Sequence, residues 1–248
     1  PRPAIFSRTG FEQKLGAALP LDLTFRDEEG RMVRLGDFMH GRPVVLSLVY
    51  YQCPMLCNLV LNGMVETLRG MKLTPGQDFE ILTISFNPNE THVLAAQKKA
   101  NYLKDLNRPG TERAWHFLVG EDAAIRQLAS TVGFRYEWDA KAQEYAHGSG
   151  IMVVTPDGHL SHYFYGVEFP ERDLRLALVE ASNGRIGRPI DKLQLFCYQY
   201  NHVLGRYSTR IMALVQAGCL LTILGVGWFV VAMFRREAAA RRLADARV

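Results

Sequence analysis

The sequence has no basic stripe. It contains 29 lysines and arginines against 25 aspartates and glutamates, and the whole excess lies after Ser208, where six arginines accompany two acidic residues. The rest of the chain is therefore neutral and offers little to a phosphate backbone, which argues against nucleic-acid binding. Internal repeats and low-complexity stretches are also absent. A composition of 48% hydrophobic and 22% charged residues is typical of a folded chain and excludes disorder for most of it.

Cysteine is scarce, with four residues in the whole chain. Cys53 and Cys57 are the only plausible pair, so the sequence does not require a structural disulfide framework. Cys219 lies within an apolar run and is interpreted as an apolar filler. Cys197 is interpreted as a buried small hydrophobe, and a third redox-accessible thiol is the alternative.

Charge is missing from residues 211–234, a run of 24 residues in which only Gln216 and Thr222 are appreciably polar. At about 1.5 Å per residue, a helix of this length would reach roughly 36 Å and cross a hydrocarbon core of about 30 Å. The run predicts one C-terminal transmembrane helix, and a buried core helix is the alternative.

The flanking arginines predict an orientation for this helix. Five arginines follow Phe234, while two lie close before Ile211, so the positive-inside rule places the C-terminus in the cytoplasm. The N-terminal domain is then expected in the periplasm, with a single pass through the cell inner membrane. No apolar signal region opens the sequence, so a secretory signal is expected to have been cleaved or left out of the numbering.

Hydrophobic patterning predicts the fold. Residues 43–51 and 79–86 are too apolar to be half exposed, which indicates central strands buried on both faces. Alternating segments on either side of Glu29-Gly30 and of 156–158 indicate hairpins. The other predicted elements are a helix after Cys57, a helix over 90–106, a strand, helix and strand between 115 and 139, and a final helix that ends at Gly184. Together they predict a thioredoxin-like α/β fold, a mixed sheet flanked by helices, plus the transmembrane helix.

Cys53 and Cys57 form a C-x-x-x-C motif where the first buried strand meets its helix, with Pro54 predicted at the first helical position. A helix N-terminus favours thiolate over thiol, which makes both sulfurs nucleophiles and soft-metal ligands. This spacing covers a full helical turn, so the two thiolates are suited to grip one soft ion such as Cu(I) or zinc, and a third ligand would complete the site. A structural disulfide or two buried cysteines is the alternative.

Among seven histidines, His147 is the best candidate for that third ligand, because it precedes Gly148-Ser149-Gly150 in a loop expected beside the cysteine turn. A surface or otherwise satisfied histidine is the alternative. His159 and His162 are three residues apart on a predicted strand and therefore lie on opposite faces, which suits solvent or pairing better than a metal.

From about Leu21 to Ser182 the sequence resembles the Sco/SenC copper chaperones of cytochrome oxidase assembly. The resemblance rests on VVLSLVYY, the motif CPMLC at 53–57, TISFNPNET, and YAHGSGIMVVTPDGHLSHYFYG, which contains His147. It implies a thioredoxin variant in which Cys53, Cys57 and His147 bind one copper. The segment LFCYQYN at 195–201 resembles a bacterial branch with a C-terminal anchor. Ala146, Gly148 and Asn87 depart from the residues that are common in the family at those positions.

The expected function is a membrane-anchored, extracytoplasmic copper metallochaperone that holds one Cu(I) or Cu(II) and delivers it to the binuclear copper centre of cytochrome c oxidase. The expected partner is the copper-bearing oxidase subunit or another respiratory complex. Two alternatives stay open, a thiol-disulfide oxidoreductase that uses Cys53 and Cys57 as redox-active thiols, and a resident structural subunit of a respiratory complex. The expected segments are an entry segment 1–20, a copper and redox domain 21–190, a juxtamembrane linker 191–210, the transmembrane helix 211–234 and a basic cytoplasmic tail 235–248.

Overall fold

A computed structural model describes residues 8–53, 55–187, 200–201, 206–207, 216, 219–229, 233 and 235. The chain divides into two compact units, Pro1–Pro189 and Ile190–Val248. The described part of the first unit contains ten strands and four α-helices. Those strands are β1 Gly10–Phe11, β2 Thr24–Arg26, β3 Met32–Arg34, β4 Val44–Val49, β5 Glu80–Ser85, β6 Trp115–Leu118, β7 Phe134–Asp139, β8 Glu144–His147, β9 Gly150–Val154 and β10 Leu160–Tyr165. Its helices are α1 Leu56–Gly70, α2 His92–Leu106, α3 Asp122–Thr131 and α4 Glu171–Ser182.

The central sheet has five strands in the order β10-β9-β4-β5-β6. Strands β4, β5 and β6 run parallel, while β9 is antiparallel to β4 and to β10. Every residue of β4, β5 and β9 is buried. This confirms the prediction for β4 and β5 from their continuous apolar runs, because a strand covered on both faces has no polar side to alternate with. Strand β9 was predicted as an alternating run of a hairpin, and its burial on both faces corrects that prediction.

A second, antiparallel sheet has the order β1-β7-β8. In β8 the pairing puts Glu144 opposite Asp139 and His147 opposite Tyr136. The prediction of His147 in a loop was wrong, since His147 is the last residue of β8. Strands β2 and β3 form the hairpin predicted around Glu29-Gly30.

Helix α1 packs closely against the loop between β10 and α4. Gly63 permits this contact, because a Cβ atom there would lie 1.8 Å from the carbonyl oxygen of Val167. Thr67, one turn later, donates its hydroxyl to the carbonyl oxygen of Phe169 at 2.6 Å. The contact fixes the helix that carries Cys57 against the rest of the fold.

The sequence predicted a thioredoxin-like fold together with a C-terminal transmembrane helix at 211–234, and the prediction of the transmembrane helix was wrong. Among the residues that the structure describes, no helix is both long enough and apolar enough to span a membrane. Within the predicted span, residues 216, 219–229 and 233 are described and are helical. Its other residues lie outside the described residues, as do Cys197 and most of the predicted linker and tail.

The second unit also contains two short strands, β11 Tyr200–Asn201 and β12 Arg206–Tyr207, which pair antiparallel. Cys219 belongs to the described helix of this unit and is exposed there as a free thiol.

Candidate metal centre

The turn between β4 and α1 carries both cysteines of the motif. Strand β4 ends at Val49, and α1 begins at Leu56, two residues later than predicted from Pro54, which itself lies outside the described residues. The backbone N–H of Cys53 donates to the carbonyl oxygen of Tyr50 at 3.2 Å, which closes the turn. The turn thus places Cys53 just before the helix and Cys57 in its first turn, as the motif predicts.

Both cysteines are free thiols and nearly inaccessible, with 6% of Cys53 and 1% of Cys57 exposed. The Sγ of Cys53 accepts the backbone N–H of Cys57 at 3.4 Å. The Sγ of Cys57 accepts the backbone N–H of Tyr50 at 3.3 Å. Both sulfurs therefore lie against backbone donors at the start of α1, where the helix dipole favours negative charge.

His147 completes the cluster from the end of β8. Its Nε2 lies 3.4 Å from the Sγ of Cys57, and its Nδ1 lies 2.7 Å from the carbonyl oxygen of Gly148. A carbonyl oxygen only accepts, so Nδ1 is the protonated nitrogen and donates to Gly148. In the neutral ring this leaves the lone pair of Nε2 directed at the sulfurs, the state in which a histidine binds a metal.

Burial and the contact between the two side chains shift the pKa values of Cys53 and Cys57 in opposite directions. The side chain of Cys57 is the main cause that lowers the pKa of Cys53, against the opposing effect of burial, and the backbone N–H groups of Cys57 and Met55 add to it. Burial raises the pKa of Cys57, and so do, next, its side-chain hydrogen bond with Cys53 and the charge on Cys53. One sulfur is therefore favoured as a thiolate and the other as its hydrogen-bond donor.

Aromatic rings enclose the imidazole of His147. Its ring centroid lies 5.2 Å from that of Phe86, 5.8 Å from that of Tyr50 and 6.2 Å from that of Phe134. Tyr50 precedes the cysteine turn and Phe86 follows β5, so the residues that enclose the histidine come from the same end of the central sheet as the cysteines. This apolar wall restricts the orientation of the ring and keeps water from the thiol face.

The three residues meet the requirements of a soft metal ion. The ligand atoms of Cys53, Cys57 and His147 all lie within 4.8 Å of one another. Two sulfurs and one imidazole nitrogen are the donors that Cu(I), Cu(II) and zinc select over hard cations. The group can hold one metal ion.

The other histidines singled out by the sequence have partners of their own. The Nδ1 of His159 lies 3.1 Å from a carboxylate oxygen of Asp157. The Nε2 of His162 lies 3.0 Å from Glu180, and its Nδ1 lies 2.8 Å from the hydroxyl of Ser161. Neither belongs to the thiol cluster, as expected from their positions in the final hairpin.

Glu90, which was not predicted from the sequence as a site residue, lies directly beside the cysteine turn. Its carboxylate accepts the backbone N–H groups of Tyr51 and Gln52, each at 2.8 Å. A signal was present, because Glu90 follows β5 closely, and the carboxyl ends of neighbouring parallel strands meet at one edge of a sheet.

The chain matches one protein-family model and is similar in fold to several solved structures. A model of the SCO1/SenC family matches residues 12–179. No curated protein sequence matches the chain. Among solved structures, a protein from Aquifex aeolicus VF5 named for electron transfer is 24% identical, with a TM-score of 0.60 over 69% of this chain and 96% of that one.

Two further structures carry the family name. BsSco, described as a Sco family cytochrome c oxidase assembly protein with a disulfide switch, is 22% identical, with a TM-score of 0.55 over 69% of this chain and 98% of that one. Arabidopsis thaliana ScoI with copper bound is 15% identical, with a TM-score of 0.51 over 69% of this chain and 99% of that one. At these identities the likeness shows a shared fold.

Proposed function

The chain belongs to the SCO1/SenC family, and from this premise we propose that it is a copper metallochaperone for cytochrome c oxidase assembly. The observation that carries the proposal is the group formed by Cys53, Cys57 and His147, whose three ligand atoms lie within 4.8 Å of one another. Copper is the cargo of this site. The relative whose structure contains copper, Arabidopsis thaliana ScoI, supports the choice of metal.

The site would bind copper through two thiolates and one imidazole. The thiol proton of Cys57 leaves when the ion arrives, because a coordinated sulfur binds the metal as thiolate. His147 presents Nε2 without moving its hydrogen bond to Gly148. The apolar rings of Tyr50 and Phe86 keep bulk water away from the bound ion and so slow its loss.

The proposed recipient is the copper-bearing subunit of cytochrome c oxidase, at its binuclear copper centre, or another respiratory complex. Support comes from BsSco, which is described as a cytochrome c oxidase assembly protein. Transfer would proceed by ligand exchange, in which thiolates of the acceptor replace the donor ligands one at a time, so that no free ion is released. We also propose that the domain works outside the cytoplasm, and a compartment-specific reporter fused to the full chain tests this.

A transfer assay tests the proposal directly. The copper-loaded full chain is mixed with an oxidase subunit in its copper-free, reduced form, and copper is followed on both proteins after separation. The proposal predicts that copper moves to the acceptor faster than a competing chelator in solution can intercept it. Copper that reaches the acceptor only through the chelator-accessible pool would contradict it.

A second candidate function is thiol-disulfide exchange. Two observations favour it. Cys53 and Cys57 are both free thiols at the N-terminus of α1, and the backbone N–H of Cys57 donates to the sulfur of Cys53 at 3.4 Å. The Cys53 thiolate would attack a disulfide of the acceptor and release one acceptor thiolate. The Cys57 sulfur, having lost its proton, would then attack Cys53 and release the second, leaving a Cys53–Cys57 disulfide and a dithiol on the acceptor. His147→Ala separates the two functions, because it removes a metal ligand and leaves both thiols.

A further inference from the structure

Glu90 is a buried carboxylate with no part in the ligand set. It is 8% exposed and lies between the end of β5 and the start of α2. Three donors converge on it, namely the backbone N–H groups of Tyr51 and Gln52, each at 2.8 Å, and the hydroxyl of Ser85 at 2.6 Å. Such convergence is the environment that an ionised carboxylate requires when it is removed from water.

The backbone donors of the cysteine turn are all committed. The N–H of Tyr50 donates to the Sγ of Cys57, and the N–H of Cys53 donates to the carbonyl oxygen of Tyr50. The two N–H groups between them, on Tyr51 and Gln52, both donate to Glu90. Of four consecutive backbone donors, one therefore contacts a ligand sulfur, one closes the turn, and the two in the middle depend on a single side chain.

We propose that Glu90 is the positioning residue of the metal centre and that it fixes the turn in which Cys53 faces Cys57 and His147. The inference rests on the proposed function and names how that site is preorganised. Without the carboxylate, two adjacent N–H groups would lose their acceptors in a buried place, and the turn would rearrange to find others. Because Cys53 directly follows these two residues, any rearrangement displaces its sulfur.

Only a carboxylate satisfies all the donors. In Glu90→Gln one oxygen becomes an NH₂ group, which donates rather than accepts. Whichever way the amide is oriented, this NH₂ group faces a backbone N–H donor. That donor belongs to Tyr51 in one orientation and to Gln52 in the other. The substitution thus preserves the size of the side chain and removes half of its support for the turn. Burial raises the pKa of Glu90 above its ordinary value, and the hydrogen bonds from Ser85 and the two N–H groups offset this only in part, so the ionised side chain depends on these partners.

The matched control is Glu80, at the opposite end of β5. It is also buried, at 2% exposed, and it pairs with Arg42 at 2.5 Å. Glu80→Gln makes the same chemical change at a similar depth and removes the charge that pairs with Arg42, but it lies at the other end of β5 from the cysteine turn. Glu90→Asp, which keeps two acceptor oxygens on a side chain shorter by one methylene, tests for partial rescue.

The experiment measures copper affinity by chelator competition, the thiolate-to-Cu(II) absorption band, and the reduction potential of the Cys53–Cys57 pair, in the full chain and the three variants. Loss of a group that orients a metal ligand typically lowers affinity about 10- to 100-fold, and this is the expected effect of Glu90→Gln. The thiolate-to-Cu(II) absorption band and the reduction potential of the Cys53–Cys57 pair also shift in Glu90→Gln. Glu90→Asp falls between Glu90→Gln and the native chain, and Glu80→Gln leaves affinity, band and potential unchanged while lowering the melting temperature.

The inference is overturned if Glu90→Gln lowers only the melting temperature, as Glu80→Gln does. If the native chain fails to bind copper, the proposed function fails instead, and the potential still decides the inference. In that case a shifted potential in Glu90→Gln but not in Glu80→Gln supports positioning, and an unshifted one contradicts it.

Discussion

The Sγ of Cys57 and the Nε2 of His147 lie 3.4 Å apart although the residues are separated by 90 positions in the chain. Cys57 is held by α1, and His147 by the pairing of β8 with β7. The metal centre therefore forms only when the central sheet and the smaller sheet are both folded, so its ligand set depends on the tertiary structure and not on the C-x-x-x-C motif alone.

The stability of the fold depends on pH through Glu28. Burial opposes its ionisation, but the neighbouring His116, the hydrogen bond from Lys99 and that from the backbone N–H of Phe117 outweigh burial and lower its pKa from 4.5 to about 2. A pKa that is lower in the folded state stabilises the fold above the unfolded value, and this contribution is lost as the pH falls from about 4.5 to about 2. A shift of this size corresponds to roughly 3 kcal/mol.

Glu28→Gln removes this contribution. The difference in free energy of unfolding between the native chain and Glu28→Gln should therefore shrink by roughly 3 kcal/mol between pH 7 and pH 2, measured by urea denaturation. The control is Glu29→Gln in the same hairpin, whose side chain is 62% exposed, and which should change the pH dependence little. Parallel stability curves for the native chain and Glu28→Gln would contradict the assigned pKa.

Gly63→Ala should destabilise the fold by several kcal/mol, because its Cβ would lie 1.8 Å from the carbonyl oxygen of Val167 and force α1 from the adjoining loop. The control is Gly70→Ala in the same helix, where the nearest atom, at 3.0 Å, is the end of the flexible Glu171 side chain. Thermal melting of both variants measures the difference. Equal melting temperatures would show that α1 does not depend on this close approach.

Tyr136→Phe should leave the free energy of unfolding unchanged or raise it by about 1 kcal/mol, because the buried hydroxyl of Tyr136 has no hydrogen-bond partner among the residues that the structure describes. The matched variant is Tyr163→Phe, where the hydroxyl donates to the carbonyl oxygen of Val132 at 2.9 Å and accepts the N–H of Lys14 at 3.1 Å. That variant should be destabilised by about 1 to 3 kcal/mol. Chemical denaturation gives both values, and a loss of stability in Tyr136→Phe comparable to that in Tyr163→Phe would argue for an ordered partner at Tyr136.

The sequence predicted the central sheet well because apolar runs such as 43–51 and 79–86 are most stable when both faces of the strand are buried. It also predicted the turn between strand and helix that carries Cys53 and Cys57. It did not predict that His147 ends a strand, since Glu144 to His147 is a short polar segment whose strand character depends on pairing with β7.

The two remaining failures have different physical causes. The position of Glu90 just after β5 was a signal for its place at this edge of the sheet, but not for its contacts, because these are to backbone N–H groups about forty positions away. The predicted transmembrane helix was inferred from the uncharged, apolar composition of 211–234 and from its flanks, and no described helix is long enough and apolar enough to span a membrane.

The most direct test is the copper content and absorption spectrum of the reduced full chain, compared with His147→Ala and with His159→Ala. His159 is a suitable control because it pairs with Asp157, outside the thiol cluster. The account predicts one copper per native chain and per His159→Ala chain, with thiolate-to-Cu(II) absorption. It predicts an affinity more than roughly 100-fold lower in His147→Ala, beyond the loss expected for a merely supporting group. Absence of bound copper in the native chain, or equal affinity and spectra in all three proteins, would contradict the assignment of Cys53, Cys57 and His147 as the copper site.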